Sequence, residues 1–292
     1  MLEIARRPPS KLRLAMVLAL LAILPGLGAA GPARAAEERP YILLAATTTT
    51  DDSGLLSYLL PRFTAACGID VRRVIFGTGH AVEVAKAGDA DVLLVHHRPL
   101  EEAFVAEGYG VERFDVMYND FIVVGPEDDP AGIAGTNDAA AALAKIARAQ
   151  ALFASRGDDS GTNLKELTLW SAAGIDPEAL SGGWYRKTGA GMGSTLNTAA
   201  ALGAYAMTDR GTWTGFRNKQ DLKILVEGDP RLRNPYGVIL VNPARHPHVK
   251  AKAGQAFIDW LLSPAGQQAI ADFRIDGQQL FFPDAKPRDG SS

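Results

Sequence analysis

Short apolar runs alternate with helical patterns in the first part of the chain. The runs at residues 41–45, 71–76 and 91–95 have the length of buried strands. Between the first two runs, apolar residues recur every three or four positions up to Gly68, which is typical of a helix that ends at a glycine. A shorter helical pattern covers residues 81–87. The order strand, helix, strand, helix, strand predicts parallel strands joined by right-handed crossovers.

Two further apolar strands, at residues 121–124 and 236–241, enclose a middle section with a pattern of its own. The middle section contains a strand at 151–154 and helices at 139–149, 163–173 and 195–205. Two more helical patterns, at 249–262 and 265–273, follow the second strand. The two enclosing strands are therefore expected to cross between two separate parts of the fold.

We predict an α/β fold of two lobes, with parallel-rich sheets flanked by helices and a cleft between the lobes. The predicted first lobe comprises residues 36–121 and 240–282, and the second comprises residues 122–239. The polar residues 283–292, which include proline and glycine, are expected to form a flexible tail.

Residues 1–35 have the three parts of a secretory signal peptide. Four basic residues lie near the start, residues 14–27 are almost continuously apolar, and Ala33-Arg34-Ala35 has the small-x-small pattern of a cleavage site. The apolar run is shorter than the roughly 20 residues that span a membrane, and Pro25 and Gly26 interrupt it. An uncleaved anchor is the alternative. We expect export to the periplasm with cleavage near Ala35, after either Ala35 or Ala36.

The composition is that of a globular protein. With 47% hydrophobic and 22% charged residues, the chain is neither disordered nor fibrous. The formal charge of −3 becomes −7 when residues 1–35 are removed, because five basic residues and one acidic residue leave with them. No basic surface for a nucleic-acid backbone is indicated, so no nucleic-acid partner is predicted. Cys67 is the single cysteine, which excludes an intramolecular disulfide, and we expect it to be buried.

Hydroxyl-bearing residues concentrate where predicted strands end and helices begin. They lie at 47–54 (TTTTDDSG), 77–79 (GTG) and 155–162 (SRGDDSGT). Ligands of α/β sheets bind at the carboxyl ends of strands, and helix N-termini favour anions. Four consecutive threonines and the lone cation Arg156 therefore indicate a site for a compact tetrahedral anion. For each hydroxyl the alternative role is helix capping, and for Arg156 it is a surface pair with a nearby aspartate.

Enzymatic and metal sites are less well supported. Asp159-Ser160-Gly161 has the order of a serine-hydrolase fragment, but the Gly-x-Ser-x-Gly elbow is absent, so an exported hydrolase that uses Ser160 is kept only as an alternative. His96 and His97 are adjacent on a strand and point to opposite faces, which favours a loop-lining or solvated pair over a metal site. We predict no enzyme, no cofactor and no cation site.

These motifs, in this order, resemble the TupA family of tungstate-binding proteins. The segments that carry the resemblance are TTTTDDSG (47–54), GTG (77–79), GDADVLLV (88–95), MYNDFIVVGPEDDP (117–130), SRGDDSGT (155–162), GMGSTL (191–196) and TDRGT (208–212). The similarity runs from about residue 43 to about residue 280. It implies a periplasmic binding protein of the two-lobe, type II kind that captures tungstate and delivers it to the permease and ATPase of an ABC importer. We expect a monomer.

The resemblance also implies which residues contact the oxyanion. The first group is Thr48, Thr49, Thr78, Arg156 and Thr162; the next is Ser155, Ser160 and Gly161; Ser194 and Thr195 are weaker candidates. The usual Thr-Thr-Thr-Ser of the family is Ala-Thr-Thr-Thr here, so a hydroxyl is lost at Ala46 and kept at Thr49. Because tungstate and molybdate have almost the same size, charge and shape, molybdate or another tetrahedral oxyanion stays open as the ligand.

Overall fold

Strands and helices alternate from the first described residues onward, as predicted. The computed structural model describes residues 39–179 and 183–286, so the predicted signal peptide lies outside the described residues. The first elements are β1 (Tyr41–Thr47), α1 (Thr48–Asp52), α2 (Leu55–Cys67), β2 (Asp70–Phe76), α3 (Thr78–Ala87), β3 (Val92–Val95) and α4 (Arg98–Ala106). Gly68 adopts a φ of 69° and ends α2 in the left-handed conformation, as predicted.

Two long strands enclose the middle section. They are β4 (Gly110–Pro126) and β9 (Arg233–Val241). Between them lie α5 (Ala139–Ala149), β5 (Phe153–Ser155), α6 (Gly161–Ala172), β6 (Tyr185–Lys187), α7 (Met192–Leu202), β7 (Ala206–Asp209), α8 (Arg210–Gly215), β8 (Leu222–Val226) and a 3₁₀ turn (Pro230–Leu232). After β9 come α9 (Ala251–Leu262), α10 (Pro264–Asp272), β10 (Arg274–Ile275), β11 (Gln278–Gln279) and β12 (Phe282–Pro283). Within the part of the chain that the structure describes, no helix is both long and apolar enough to cross a membrane.

The main sheet has eight strands. Its order is β12-β4-β9-β3-β1-β2, and β7 and β8 pair with the end of β4. β1 pairs in parallel with β2 and β3, whereas β9 runs antiparallel to both β3 and β4. The α/β class is confirmed. Antiparallel pairs are more numerous than the sequence predicted, because the 17-residue β4 runs against each of its described partners.

The long strands are shared between separate hydrophobic clusters. Met117 on β4 packs with the cluster around Leu44 and Phe257, whereas Phe121, four residues later, packs with the cluster around Trp170. The same change occurs across the start of β9, where Leu232 belongs to the second cluster and Tyr236 to the first. Full burial of each large apolar side chain stabilises the fold by about 1.5–3 kcal/mol. Each of these two clusters is therefore a substantial hydrophobic core.

The prediction for Cys67 is wrong, and the structure differs from the predicted tail in the part of it that the structure describes. Cys67 is exposed, because it is the last residue of α2 and lies outside the apolar stripe of that helix. The predicted tail begins at Pro283, yet Phe282 and Pro283 pair with β4, and the Phe282 ring stacks on Tyr118 with centroids 5.2 Å apart. The Asp284 N–H also donates to the Val116 carbonyl. Residues 283–286 are therefore held by the sheet, while residues 287–292 lie outside the described residues.

Asp91 connects β1 to the start of α9. Its carboxylate accepts a hydrogen bond from the Leu43 N–H at 2.7 Å and another from the Lys250 N–H at 2.7 Å. The residue is 3% exposed, so its carboxylate depends on hydrogen bonds from the protein. Asp91 thus satisfies backbone groups of two elements that are distant in sequence.

We expect Asp91→Ala to lower the free energy of unfolding by about 2 kcal/mol or more, because two hydrogen bonds to a charged group are lost and each contributes about 1.5–3 kcal/mol. Urea denaturation measures this change. The matched control is Asp89→Ala, since Asp89 lies two residues away and is exposed. An equal loss of stability in both variants would contradict the role assigned to the buried carboxylate.

Candidate functional site

The N-terminus of α6 lies at the centre of the predicted site. Ser160 caps this helix, and its Oγ accepts a hydrogen bond from the Asn163 N–H at 3.2 Å. Gly161 and Thr162 form the buried first turn, where backbone N–H groups have no partner within the helix. The Oγ1 atom of Thr162 is also buried and has no hydrogen-bond partner in the described part of the chain. This helix end therefore offers donors that the protein itself does not use.

Arg156 brings a permanent positive charge to the same place. It follows β5 and is only 3% exposed. Its Nε and Nη2 atoms donate to one oxygen of Asp158 at 3.2 and 2.6 Å. The third nitrogen, Nη1, is buried without a partner among the described residues. The predicted alternative, an ion pair with a nearby aspartate, is thus present, but it joins a buried arginine to a half-buried aspartate and leaves Nη1 of the guanidinium without a partner among the described residues.

The loop that carries Arg156 is held by Thr188 and the start of α7. The Thr188 N–H donates to the Ser155 carbonyl at 2.9 Å, and the Gly189 N–H donates to the Arg156 carbonyl at 2.8 Å. The Thr188 and Thr195 hydroxyls lie 2.8 Å apart, and Thr195 is also within 3.3 Å of two carbonyls of its own turn. The Thr195 hydroxyl is therefore engaged by the protein. Ser194, in contrast, is exposed.

The N-terminus of α3 meets this loop from another part of the fold. Thr78 is the first residue of α3, and the preceding Gly77 provides no side-chain cap. The Thr78 Oγ1 atom is buried and has no partner among the described residues. A Cβ atom built on Gly79 would lie 3.9 Å from the carbonyl oxygen of Asp159, so the two hydroxyl-rich loops are in contact distance.

The threonine run lies beside a buried histidine that was not predicted for the site. The Thr49 Oγ1 atom is 3.2 Å from Nε2 of His96, which is 5% exposed. A Cβ atom built on Gly161 would lie 2.4 Å from Cε1 of His96, so only glycine lets the α6 backbone approach the imidazole. Thr48 is half-buried. His96 directly follows the buried strand β3, which is the sequence signal that could have identified it.

The charge of Arg156 acts on ionisable groups from several elements of the fold. Burial lowers the pKa of His96 to about 4, and the nearby Arg156 contributes to that lowering, so the imidazole is neutral at pH 7. Burial raises the pKa of Asp209 and of Asp52, while the positive charge of Arg156 opposes both rises. Arg156 therefore acts on groups from three separate places in the fold, namely the end of α1, the residue after β3 and the end of β7. No group of His, Cys, Asp and Glu in the described part of the chain has the arrangement of a metal site.

Ser155 is bound to a buried carboxyl behind the loop. Its Oγ donates to Oε2 of Glu166 at 2.8 Å, and the other carboxyl oxygen accepts from Nε1 of Trp170 at 3.0 Å and from the Tyr185 hydroxyl at 2.8 Å. Burial raises the pKa of Glu166 to about 7, although these hydrogen bonds oppose the rise. Glu166 thus anchors the end of β5 to α6 and β6.

The predicted residues therefore fall into three groups. Thr78, Arg156 and Thr162 carry three of the five buried side-chain atoms that lack a partner among the described residues. Thr49, Ser155, Ser160 and Thr195 have hydroxyls bound to other protein groups. Thr48 is half-buried in the threonine run, and Gly161 lets the α6 backbone approach His96. An α/β fold with unused donors at two helix N-termini is the arrangement of a solute-binding protein.

Comparison with known proteins agrees with this class. The sequence model of a PBP superfamily domain matches residues 29–265. A protein of Haloferax volcanii, named for anion binding at an ABC transporter, is 50% identical over 249 residues, which cover 84% of this chain and 72% of the relative. The tungstate-binding protein TupA of Peptoclostridium acidaminophilum is 47% identical over 248 residues, covering 84% of this chain and 86% of the relative.

A solved structure of a tungstate-binding protein is also similar to this chain in both fold and sequence. The tungstate-binding protein TupA from Desulfovibrio alaskensis G20 has a TM-score of 0.75 and 46% sequence identity, with 85% of this chain and 100% of that chain covered. The chain therefore belongs to the TupA family within the PBP superfamily.

The Glu166 carboxyl makes the stability of the fold depend on pH. The folded protein keeps this proton up to about pH 7, whereas the unfolded chain loses it near pH 4.5. Between these values the folded state binds more protons, so the free energy of unfolding falls as pH rises. We expect Glu166→Gln, which cannot titrate, to gain stability relative to the wild type as pH rises from 5 to 8.

Urea denaturation across this pH range measures the difference. Glu178→Gln is the control, because Glu178 is an exposed glutamate whose ion pair with Lys187 lies at the surface. A stability difference between Glu166→Gln and the wild type that stays constant with pH would contradict the raised pKa of Glu166.

Proposed function

We propose that this protein captures tungstate outside the cytoplasm and delivers it to the membrane components of an ABC importer. Two relatives named as tungstate-binding proteins, at 47% and 38% identity over most of the chain, support this role. A relative named for anion binding at an ABC transporter supports the same class of ligand and partner. The protein is thus a binding protein of a transport system.

One observation carries the proposal. The hydroxyls of Thr78 and Thr162 and the Nη1 of Arg156 are buried donors without partners in the described part of the chain. Unpartnered buried polar groups are costly, and a native fold keeps them where a ligand satisfies them. All three groups donate hydrogen bonds, and one is permanently charged, so they fit a ligand that has only acceptor oxygens and a negative charge.

The other predicted residues take supporting roles in this proposal. The N–H groups at the start of α3 and α6, including that of Gly161, add donors and the positive ends of two helix dipoles. Ser160 shapes the α6 terminus, and Ser155 and Thr195 hold the Arg156 loop. Thr48 and Thr49 line the site from the first part of the chain.

Capture is proposed to involve two lobes that share β4 and β9. The changes of cluster between Met117 and Phe121, and between Leu232 and Tyr236, support hinges at these points. The first change lies close to the lobe boundary predicted at 121, and for the second we propose a boundary near 234, a few residues before the predicted one at 239. Ligand binding by donors from both lobes then favours the form with the lobes together.

Export is part of the proposal. The predicted signal peptide at 1–35 and the periplasmic role of binding proteins in this superfamily support a location in the periplasm. A monomer is the expected form.

A hydrolase that uses Ser160 is not favoured. The Ser160 Oγ is bound to the N–H of Asn163 as a helix cap. The neighbouring imidazole of His96 is bound on one side by Thr49 and on the other by Asn234, so neither ring nitrogen is paired with Ser160 as a base.

We expect the wild-type protein to bind tungstate in isothermal titration, and Arg156→Ala to bind it at least ten times more weakly. Loss of one partner of a buried charge pair costs about 2–5 kcal/mol, and about 1.4 kcal/mol corresponds to a factor of ten. Arg156→Lys should recover only part of the affinity, because an ammonium lacks the planar fork of donors. Competition with molybdate and sulfate in the same titration identifies the preferred oxyanion.

Arg186→Ala is the control for this series, since Arg186 is an exposed residue of β6. Full tungstate affinity in a folded Arg156→Ala protein would place Arg156 outside the site. A wild-type protein that binds none of the three oxyanions would overturn the proposed function.

We expect Thr162→Val to weaken tungstate binding by about tenfold without lowering the stability of the ligand-free protein. Valine keeps the shape of threonine, and the lost hydroxyl has no protein partner, so only the ligand loses a hydrogen bond. Titration and urea denaturation measure the two effects. Thr168→Val, at an exposed position of the same helix, should change neither by a comparable amount. A variant that loses stability but keeps its affinity would show that Thr162 serves the fold.

A further inference from the structure

A buried ring of hydrogen bonds joins the threonine run to the two long strands. The Thr47 Oγ1 lies 2.6 Å from that of Thr50 and 3.3 Å from that of Thr49, which in turn lies 3.2 Å from Nε2 of His96. On the other side of the imidazole, Nδ1 is 3.0 Å from Oδ1 of Asn234.

Two residues of β4 and β9 complete this ring. The Asn234 Nδ2 donates to Oδ1 of Asn119 at 2.7 Å, and the Asn119 Nδ2 donates to the Tyr236 hydroxyl at 3.3 Å. Burial raises the pKa of the Tyr236 hydroxyl and Thr50 opposes that rise, so the two ends of this path lie close together. The members, all buried, are Thr47, Thr49, Thr50, His96, Asn119, Asn234 and Tyr236. We call these seven residues the buried ring.

The groups of the buried ring can all donate hydrogen bonds in the same sense around the ring, and the position of the His96 proton decides which sense. Burial lowers the pKa of His96 to about 4, and the charges of Arg156 and Lys165 also lower it, so the neutral imidazole carries one proton. In the amide orientation that turns the Asn234 oxygen towards Nδ1, the proton is on Nδ1, and Nε2 accepts the hydrogen of the Thr49 hydroxyl. In this direction Thr49 has no hydrogen left for a ligand and presents only lone pairs.

The reverse direction satisfies the same seven groups. With the proton on Nε2, His96 donates to Thr49, and the two asparagine amides turn over so that Asn234 donates to Nδ1. The Thr49 hydroxyl hydrogen is then available. A tetrahedral oxyanion has only acceptor oxygens, so it is repelled by Thr49 in the first direction and bound by it in the second.

We propose that His96 is a positioning residue of the oxyanion site, and that the bound anion selects the Nε2–H tautomer of His96 so that Thr49 donates to it. The inference rests on the proposed function. It assigns to His96 a role that its half-buried neighbour His97 does not share, since of the two only His96 lies beside both Thr49 and the position of Gly161 on α6. The proton leaves Nδ1 and reaches Nε2 by exchange with solvent, so the imidazole stays neutral.

Nitrogen NMR of the ¹⁵N-labelled full chain tests the tautomer directly. Two-bond ¹H–¹⁵N correlation spectra distinguish Nδ1–H, Nε2–H and imidazolium forms, and the His96 signals are assigned from their loss in His96→Gln. If that variant does not fold, substitution of the other four histidines assigns them by elimination. We expect the Nε2–H form in protein saturated with tungstate. The Nδ1–H form or the imidazolium in the saturated protein would overturn the inference.

A double-mutant cycle tests whether His96 acts through Thr49. We expect Thr49→Val and His96→Gln each to lower tungstate affinity by about tenfold, and the double variant to bind no more weakly than Thr49→Val alone. His97→Gln is the control and should leave the affinity unchanged in both backgrounds. Additive losses would assign His96 a merely structural role and overturn the inference. A wild-type protein that does not bind tungstate would overturn the proposed function as well, whereas tungstate binding with the Nδ1–H form would overturn this inference alone.

Discussion

The site depends on keeping a guanidinium buried with one edge unused. Removing a charge from water is costly, and Asp158 offsets that cost by accepting two hydrogen bonds from Arg156. The pair is neutral overall, and it fixes the plane of the guanidinium so that Nη1 has a defined direction. The Thr188 contacts and the Glu166 anchor hold the loop behind it. The surrounding donors would have no common focus if Arg156 were free to turn into solvent.

Close backbone approach is the second requirement. A helix N-terminus acts on a ligand only over a short distance, so the first turn of α6 must be packed without a side chain in between. Gly161 meets this need, since any Cβ there would enter the ring of His96. The neutral state of His96 matters equally, because a neutral imidazole adjusts the direction of a hydroxyl without adding a second charge.

Much of this could be predicted from the sequence, and the reasons are local. Helix and strand periods identified α5 within its observed bounds and placed β1 to β3, and the glycine at 68 identified the end of α2. The hydroxyl-rich loops and Arg156 were recognisable because residue type and position after a strand are both visible in the sequence. Non-local facts were not visible. The pairing of β3 with β9, the attachment of residues 283–286 and the contact of His96 with Asn234, 138 residues later, depend on where distant segments meet.

The exposed position of Cys67 has a practical consequence. It is the single thiol of the chain, so it has no second cysteine with which to form an internal bridge, and it is exposed at the end of α2. Thiol chemistry on this protein is therefore restricted to one place. A maleimide dye attaches once per chain without mutagenesis, and oxidation in an oxidising compartment joins two chains instead of cross-linking one. Purified material kept without reductant will accumulate covalent dimers through α2.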